Sequence, residues 1–308
     1  MRALSNFLVW VIALILLQDS NGNCQTNPND FPLLKGLYFG QSTPGDTAKI
    51  FAKDLISVKG RYEFGVTFSP AGTELLIGTQ DKDTSYIIYT RETSAGWTKP
   101  KRISLSNGMF SSEMEPFFTP DGKQIYFAPF NQWDGIRLWG VDITTEGWKD
   151  PKILNEIVAS FPAFYPNCSM NKTLYYSNIP DRKIYRAKYS DGKYNTPELA
   201  GLPFGFHCFI SPDEGFALRD GVPDGIGKSD IYIVFRNSEG QWKEPIKLGP
   251  QINSEFSETC PALSNDGKYM FFSRYNEENE VSDIYWASAK FIEELRPNEK
   301  ENLIKRSE

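Results

Sequence analysis

The feature that most constrains this chain is a turn that recurs five times. It reads Phe68-Ser69-Pro70-Ala71-Gly72, Phe118-Thr119-Pro120-Asp121-Gly122, Ser169-Met170-Asn171-Lys172, Ile210-Ser211-Pro212-Asp213-Glu214 and Leu263-Ser264-Asn265-Asp266-Gly267. Between the Ser or Thr markers the spacings are 50, 50, 42 and 53 residues. A period of that length means an array of supersecondary units, each unable to bury its apolar face alone and each packing against the next. Pro presets the first turn position, and Asp followed by Gly tolerates the positive φ of a tight hairpin.

The rest of the unit is also periodic. After each turn comes a strand rich in aromatic or β-branched residues: Leu75-Leu76-Ile77, Ile125-Tyr126-Phe127, Leu174-Tyr175-Tyr176, Phe216-Ala217-Leu218 and Tyr269-Met270-Phe271-Phe272. A third strand follows as Ile87-Ile88-Tyr89, Arg137-Leu138-Trp139, Lys183-Ile184-Tyr185, Asp230-Ile231-Tyr232 and Asp283-Ile284-Tyr285. Trp97, Trp148 and Trp242 then precede Pro100, Pro151 and Pro245, and Tyr194 before Pro197 takes the Trp place in the third unit. We read these as repeat-equivalent structural aromatics between units.

The Ser-Pro-Asp-Gly turns and Asp-Ile-Tyr strands resemble those of the WD-repeat-like, TolB-type β-propeller family, from about Gly36 to Pro297. The resemblance implies an all-β fold, a single β-propeller of four-stranded blades. The fifth unit stops after its third strand, at Trp286 to Ile292. The chain starts with what reads as an orphan strand pair, Leu37-Tyr38-Phe39 and Lys49-Ile50-Phe51-Ala52. Inserting that segment as the missing outer strand closes a five-bladed ring and covers edges that would otherwise invite aggregation. A sixth, degenerate blade around residues 36–57 is the alternative.

The ends carry other information. Arg2 precedes an apolar run from Phe7 to Leu17, and Ser20-Asn21-Gly22 offers small residues for cleavage, so residues 1–22 read as an export signal. The run is short for a bilayer span. The expected organisation is signal peptide 1–22, linker 23–35, propeller 36–297 and a charged tail 298–308. The expected location is periplasmic or secreted, and Cys24 leaves a lipid-anchored form open. A formal net charge of −6 argues against a nucleic-acid partner. No later stretch approaches transmembrane length, and the protein is expected to be a monomer.

Aligning the units on the marker residue locates a candidate site. Six residues before it stand Glu63, Glu113, Ala163, Gly205 and Glu258, and four before it stand Gly65, Glu115, Tyr165, His207 and Cys260. Strand residues two apart share a side, so both rows are expected on one rim of the central channel. The far ends of the second strands add Gln80, Asn178, Arg219 and Arg274. The candidate ligand-binding rim is therefore Glu63, Glu113, Glu115, Tyr165, His207, Arg219, Glu258 and Arg274. The opposing reading has the repeated glutamates pairing with a neighbouring Arg or accepting loop N–H groups.

His207 is the only histidine, so a multi-histidine metal site is excluded and any Ser-His-Asp or Cys-His machinery must use it. No phosphate loop, nucleophile elbow or zinc motif accompanies it, and the acid- and glycine-rich loop 220–230 fails EF-hand spacing. No cofactor and no metal are expected. Some TolB-like propellers are polysaccharide lyases whose metal needs several histidines, which this chain lacks. Cys208 and Cys260, on successive innermost strands but one residue out of register, are the one pair considered for a disulfide. The expected function is that of an exported, non-enzymatic binding or scaffold module presenting its rim to a protein, peptide or glycan of the cell envelope. The alternative is a glycan-active hydrolase or lyase using rim carboxylates as general acid and base.

Overall fold

Each marker hydroxyl closes its own hairpin. In the computed structural model, Ser69, Thr119, Ser211 and Ser264 each accept at Oγ from the backbone N–H five residues on, at 3.0 Å, and Ser169 accepts from Thr173 at 3.2 Å. Where Asp follows two residues later, the same hydroxyl donates to it, as Thr119 does to Asp121, Ser211 to Asp213 and Ser264 to Asp266. Three residues past the marker the backbone is left-handed at Gly72, Gly122, Lys172, Glu214 and Gly267, which is why glycine is favoured there.

The structure describes residues 31–297 apart from 83, 131–134, 157, 159, 160, 204 and 223–226. The export signal, Cys24, most of the linker, the middle of the 220–230 loop and the tail 298–308 lie outside the described residues. The described residues from Leu33 onward form one compact unit.

Among the described residues the strands pair into three four-stranded antiparallel sheets, the hairpin Tyr189–Ser190 with Lys193–Tyr194, and a nine-stranded sheet. In the last, two more antiparallel groups are joined by one parallel pair, Tyr62 with Ser282, and Gly96–Trp97 extends Thr84–Thr93, so that the four-stranded groups number five. From inside outward they are Tyr62–Phe68, Glu74–Asp81, Thr84–Thr93 and Lys101–Ile103; Glu113–Phe118, Gln124–Pro129, Trp139–Thr144 and Gly147–Ile153; Ala163–Cys168, Leu174–Asn178, Lys183–Ala187 and Glu198–Leu199; Cys208–Ile210, Phe216–Gly221, Asp230–Phe235 and Ile246–Lys247; and Ser257–Leu263, Tyr269–Asn276 and Val281–Ser288 with Lys49–Ile50. Each innermost strand neighbours the next, and the fifth returns to the first, so the groups form a ring. An apolar cluster fills each seam: Leu76, Ile87, Phe118 and Phe127 meet between the first two groups, and Leu218, Ile233, Met270 and Phe272 between the fourth and fifth.

The N-terminal segment closes the fifth group. Lys49 pairs with Trp286 and Ile50 with Tyr285, Phe51 N donates to Ile284 O at 2.7 Å, and Ser57 Oγ exchanges hydrogen bonds with the Ile284 backbone. Residues 36–57 thus donate one short strand to an existing sheet and build none of their own. One expectation fails here. Leu37–Gly40 is a turn of 3₁₀ helix with Tyr38 and Phe39 at positive φ, not the first member of a strand pair. That conformation swings both rings inward, where with Phe51, Ile56, Phe68, Phe271 and Trp286 they form the seam between the fifth and first groups.

The repeat-equivalent aromatics each reach back to the preceding element of the ring. Trp97 packs on Phe39 and donates to Gly36 O at 2.8 Å, Trp148 meets Tyr89 edge-on, Tyr194 hydrogen-bonds Tyr126 at 2.7 Å, and Trp242 donates to Ala200 O at 3.1 Å. Trp97 is fully enclosed, whereas Trp148 and Trp242 keep some of their surface in solvent. Trp97→Ala is therefore expected to lose about 3–5 kcal/mol of stability, and Trp148→Ala and Trp242→Ala distinctly less. Urea unfolding of the three variants orders them, and an equal loss in all three would contradict this assignment.

Candidate functional site

The two aligned rows diverge because four inner strands carry a β-bulge between them. The ladder shifts between Phe64 and Val66, Met114 and Phe117, Phe164 and Asn167, and Thr259 and Ala262. Gly65, Glu115, Tyr165 and Cys260 sit in these bulges with φ of 60°, 52°, 52° and 53°. An extra left-handed residue breaks the alternation of faces, so side chains two apart no longer share a side. The outer row turns into the blades and the inner row turns to the axis.

The outer-row carboxylates each clasp the loop that enters their own strand. Glu63 accepts from Val58 N at 3.1 Å and Arg61 Nε at 2.6 Å. Glu113 accepts from Leu105 N, Ser106 N and the Ser104 and Ser106 hydroxyls. Glu258 accepts from Ser254 N, Ser254 Oγ and Arg274 Nε, while Arg274 Nη2 also donates to Ile252 O. All three glutamates are buried. The third and fourth units, with Ala163 and Gly205 in this row, have no such clasp. Of the remaining second-strand positions, Gln80 caps Lys82 O, and the Arg219 guanidinium lies 4.6 Å from the Tyr232 ring.

Burial pushes the Glu63 carboxyl up to about 7, against the opposing hydrogen bonds of Val58 and Arg61. A folded-state value above the ordinary 4.5 means that the folded chain holds this proton more tightly than the unfolded one. The contribution of Glu63 is then most favourable below about pH 4.5 and declines as pH rises toward 7, by roughly 3 kcal/mol. Glu63→Gln should flatten the stability profile over that window. Denaturation midpoints from about pH 4 to 8 test it, and an unchanged slope in the variant would refute the assignment.

The inner row converges around His207. The fourth inner strand has no bulge, so its ladder runs regularly from Ile210 opposite Ala217 to Cys208 opposite Arg219, and His207 continues it opposite Asp220. His207 N donates to Asp220 Oδ1 at 2.9 Å and Nδ1 meets Oδ2. On the other side Nε2 lies 3.5 Å from Glu115 Oε1, and Tyr165 packs edge-on to the imidazole with centroids 4.9 Å apart. Glu115 Oε2 accepts from Tyr165 N, and the Tyr165 hydroxyl donates across the ring to Pro261 O at 2.9 Å. Burial pulls the imidazole pKa down, but the neighbouring Cys260 and Asp220 outweigh it, so His207 titrates well above its ordinary value. Burial raises the Tyr165 phenol well above 10.

Below this cluster the axis opens into a cavity of about 940 Å³. All five inner strands wall it, and it runs from a floor of Gly65, Glu115 and Tyr165 to a mouth among the marker turns at Pro70, Pro120, Pro212 and Asp266. From floor to markers is four strand residues, roughly 13 Å. The walls are mostly apolar, with Val66, Phe117, Phe209, Ala262 and Leu263, and Thr67 and Asn167 are polar residues next above the floor. Lys290, Glu293 and Arg296, on and beside the short helix Phe291–Leu295, stand at the mouth.

The structure thus brings together Glu115, Tyr165 and His207 and places Arg219 on the strand beside them. It holds Glu63, Glu113 and the Glu258–Arg274 pair apart, each in its own blade. Two residues of the axial site lie outside the candidate rim. Asp220 is positioned only by the unbulged register of the fourth unit, which no local pattern announces. Asn167 escapes rows taken four and six residues before the marker, because it stands two before. Cys168, Cys208 and Cys260 are free thiols, and the one-residue offset keeps Cys208 in the seam with the third unit while Cys260 faces the axis. Among the described residues no group of His, Cys, Asp and Glu gathers as a metal site, and no helix is long and apolar enough to cross a membrane.

No protein-family model matches the sequence, and no curated protein matches it significantly. Solved structures resemble it in fold. TolB from Acinetobacter baumannii is 13% identical over 74% of this chain and 57% of its own, with a TM-score of 0.47. A TolB candidate from Agrobacterium tumefaciens is 15% identical over 80% and 86%, with a TM-score of 0.49. A gluconolactonase from Xanthomonas campestris is 11% identical over 80% and 96%, with a TM-score of 0.45. The chain spans little more than half the length of the first of these.

Proposed function

We propose that this chain is an exported, non-enzymatic binding propeller that admits a protein or peptide segment of its partner into the axial funnel through the marker-turn face. The supporting observation is the cavity itself. At about 940 Å³ it is walled by every inner strand and is mostly apolar, with a few polar groups at its depth. Specific ligand sites have this composition. Export rests on the apolar run from Phe7 to Leu17 and its small-residue flank. A hydrolytic reading has less support, because Glu63, Glu113 and Glu258 are enclosed and engaged by their own loops.

Two variants separate the funnel from the opposite rim. Leu263→Trp narrows the funnel from a partly exposed wall position. It should keep the wild-type melting temperature and lose partner capture from cell envelope by at least tenfold. Glu113→Gln with Glu258→Gln should keep capture while losing about 1.5–3 kcal/mol per site, as broken hydrogen bonds to a charged acceptor do. Capture that survives narrowing but disappears in the double variant would return the site to the glutamate rim.

A further inference from the structure

The closing segment ends in a loop, residues 52–58, that folds on itself and is then held to the ring at separate points. Asp54 N donates to Ser57 O at 2.8 Å, and Leu55 N and Ile56 N both donate to Ala52 O. Two holds come from the first innermost strand and the turn that leads into it. Val58 N donates to Glu63 Oε1 at 3.1 Å, and Arg61 Nη2 donates to Ile56 O at 2.6 Å while Arg61 Nε donates to the same Glu63 oxygen. The third hold is Ser57 Oγ, which exchanges hydrogen bonds with the Ile284 backbone. Between loop and strand the chain turns at Lys59 and Gly60, both exposed, with Gly60 at a φ of 81°. Beneath the loop lies a carboxyl with one oxygen bare: Glu63 is 0% exposed and its Oε2 has no hydrogen-bond partner. Two charges act on it, Arg61 from its own strand entry and Asp283 from the third strand of the fifth group, where Asp54 of the loop in turn acts on Asp283. Thr79, opposite Glu63 on the second strand, is uncharged. A buried oxygen without a partner carries a proton more readily than a charge.

We propose that the loop 52–58 is a latch on the closing segment, shut while Glu63 is protonated and lifting as Glu63 ionises, with Lys59 and Gly60 as its hinge. Lifting hydrates Glu63 and frees Ile56, Ser57 and Val58, while Phe51 keeps its bond to Ile284 O and the aromatic rings stay in the seam. Ionisation with the loop down would set the Glu63 carboxylate beside Asp283 with Arg61 as the one counter-charge acting on it. The closed loop holds the proton more tightly than the open one, in which Glu63 returns to its ordinary value of 4.5. Opening is therefore rarest below about pH 4.5 and grows more frequent as pH rises toward 7.

Amide hydrogen exchange of the full chain from about pH 5 to 8, corrected for the intrinsic pH dependence of exchange, tests the latch. The reporters are the N–H groups of Val58 and Ile284, which Glu63 and Ser57 protect. Both should exchange faster at every pH than the amides of the buried strand Phe216–Gly221, and their corrected rates should rise at least tenfold across the range. Glu63→Gln, which keeps the shape of the side chain and cannot ionise, should abolish the rise. Asp283→Asn should leave a smaller one, because removing the like charge lowers the pH at which Glu63 ionises. Exchange at Val58 and Ile284 no faster than in Phe216–Gly221 would mean that the loop opens only with the whole ring, and would overturn the proposal. So would corrected rates that stay level with pH in the wild type, a rise that persists in Glu63→Gln, or a rise that Asp283→Asn leaves unchanged.

Discussion

Replacing His207 with Ala is expected to lower the free energy of unfolding by about 3–5 kcal/mol, the range for removing one partner of a buried charge group. The imidazole lies between Asp220 and Glu115, which are 1% and 4% exposed, and its removal leaves two carboxylates facing each other across an apolar gap. The pH dependence follows from the raised folded-state value. The stabilisation is complete below the ordinary histidine value of 6.5 and is lost as pH rises through the higher folded one. The difference between wild type and His207→Ala should therefore shrink at alkaline pH. Adding Asp220→Asn to His207→Ala should restore some of the loss, because it removes one of the stranded charges. Chemical denaturation at several pH values checks all three statements. A His207→Ala variant within about 1 kcal/mol of wild type would show that the cluster is solvated.

Deleting residues 23–57 is expected to abolish cooperative folding. The deletion removes Tyr38, Phe39, Phe51 and Ile56, all buried in the seam between the fifth and first groups, together with the strand that covers the edge at Trp286. Burying four such side chains contributes roughly 6–12 kcal/mol. That is comparable with the whole stability of a typical domain, about 5–15 kcal/mol. The exposed strand Val281–Ser288 and the bared rings would also favour association between chains. A soluble deletion product with a single sharp thermal transition would refute this closure.

What the sequence makes legible follows from how local the cause is. The marker hydroxyls, the Pro-Asp-Gly turns and the Trp97, Trp148 and Trp242 series act within a few residues or recur at one place in every unit, and pattern alone locates them. The bulges do not announce themselves. Glu115, Tyr165 and Cys260 are not residue types that favour positive φ, and only Gly65 hints that this row leaves the regular ladder. Counting by twos across an unseen bulge merges two rows that face different ways, and so groups Glu63, Glu113 and Glu258 with His207. The His207–Asp220 pair shows the converse, since it depends on one strand staying regular where four neighbours do not. The turn at Tyr38 and Phe39 reads as a strand because aromatic residues favour strands, and the ring cluster they enter lies far away in sequence.

The closure at Lys49–Ile50 also decides how the ring responds to force. A chain held by its N-terminal end loads first the bonds of Leu34 and Gly36 to Trp97 and Glu92 on the outer hairpin of the first group, and then the two-residue strand on the outer edge of the fifth, whose bonds to Trp286 and Tyr285 break in succession. The segment from Leu34 to Ile56 then acts as a mechanical fuse for one seam, because peeling it from Ile284 and Trp286 withdraws Tyr38, Phe39, Phe51 and Ile56 from between the fifth and first groups.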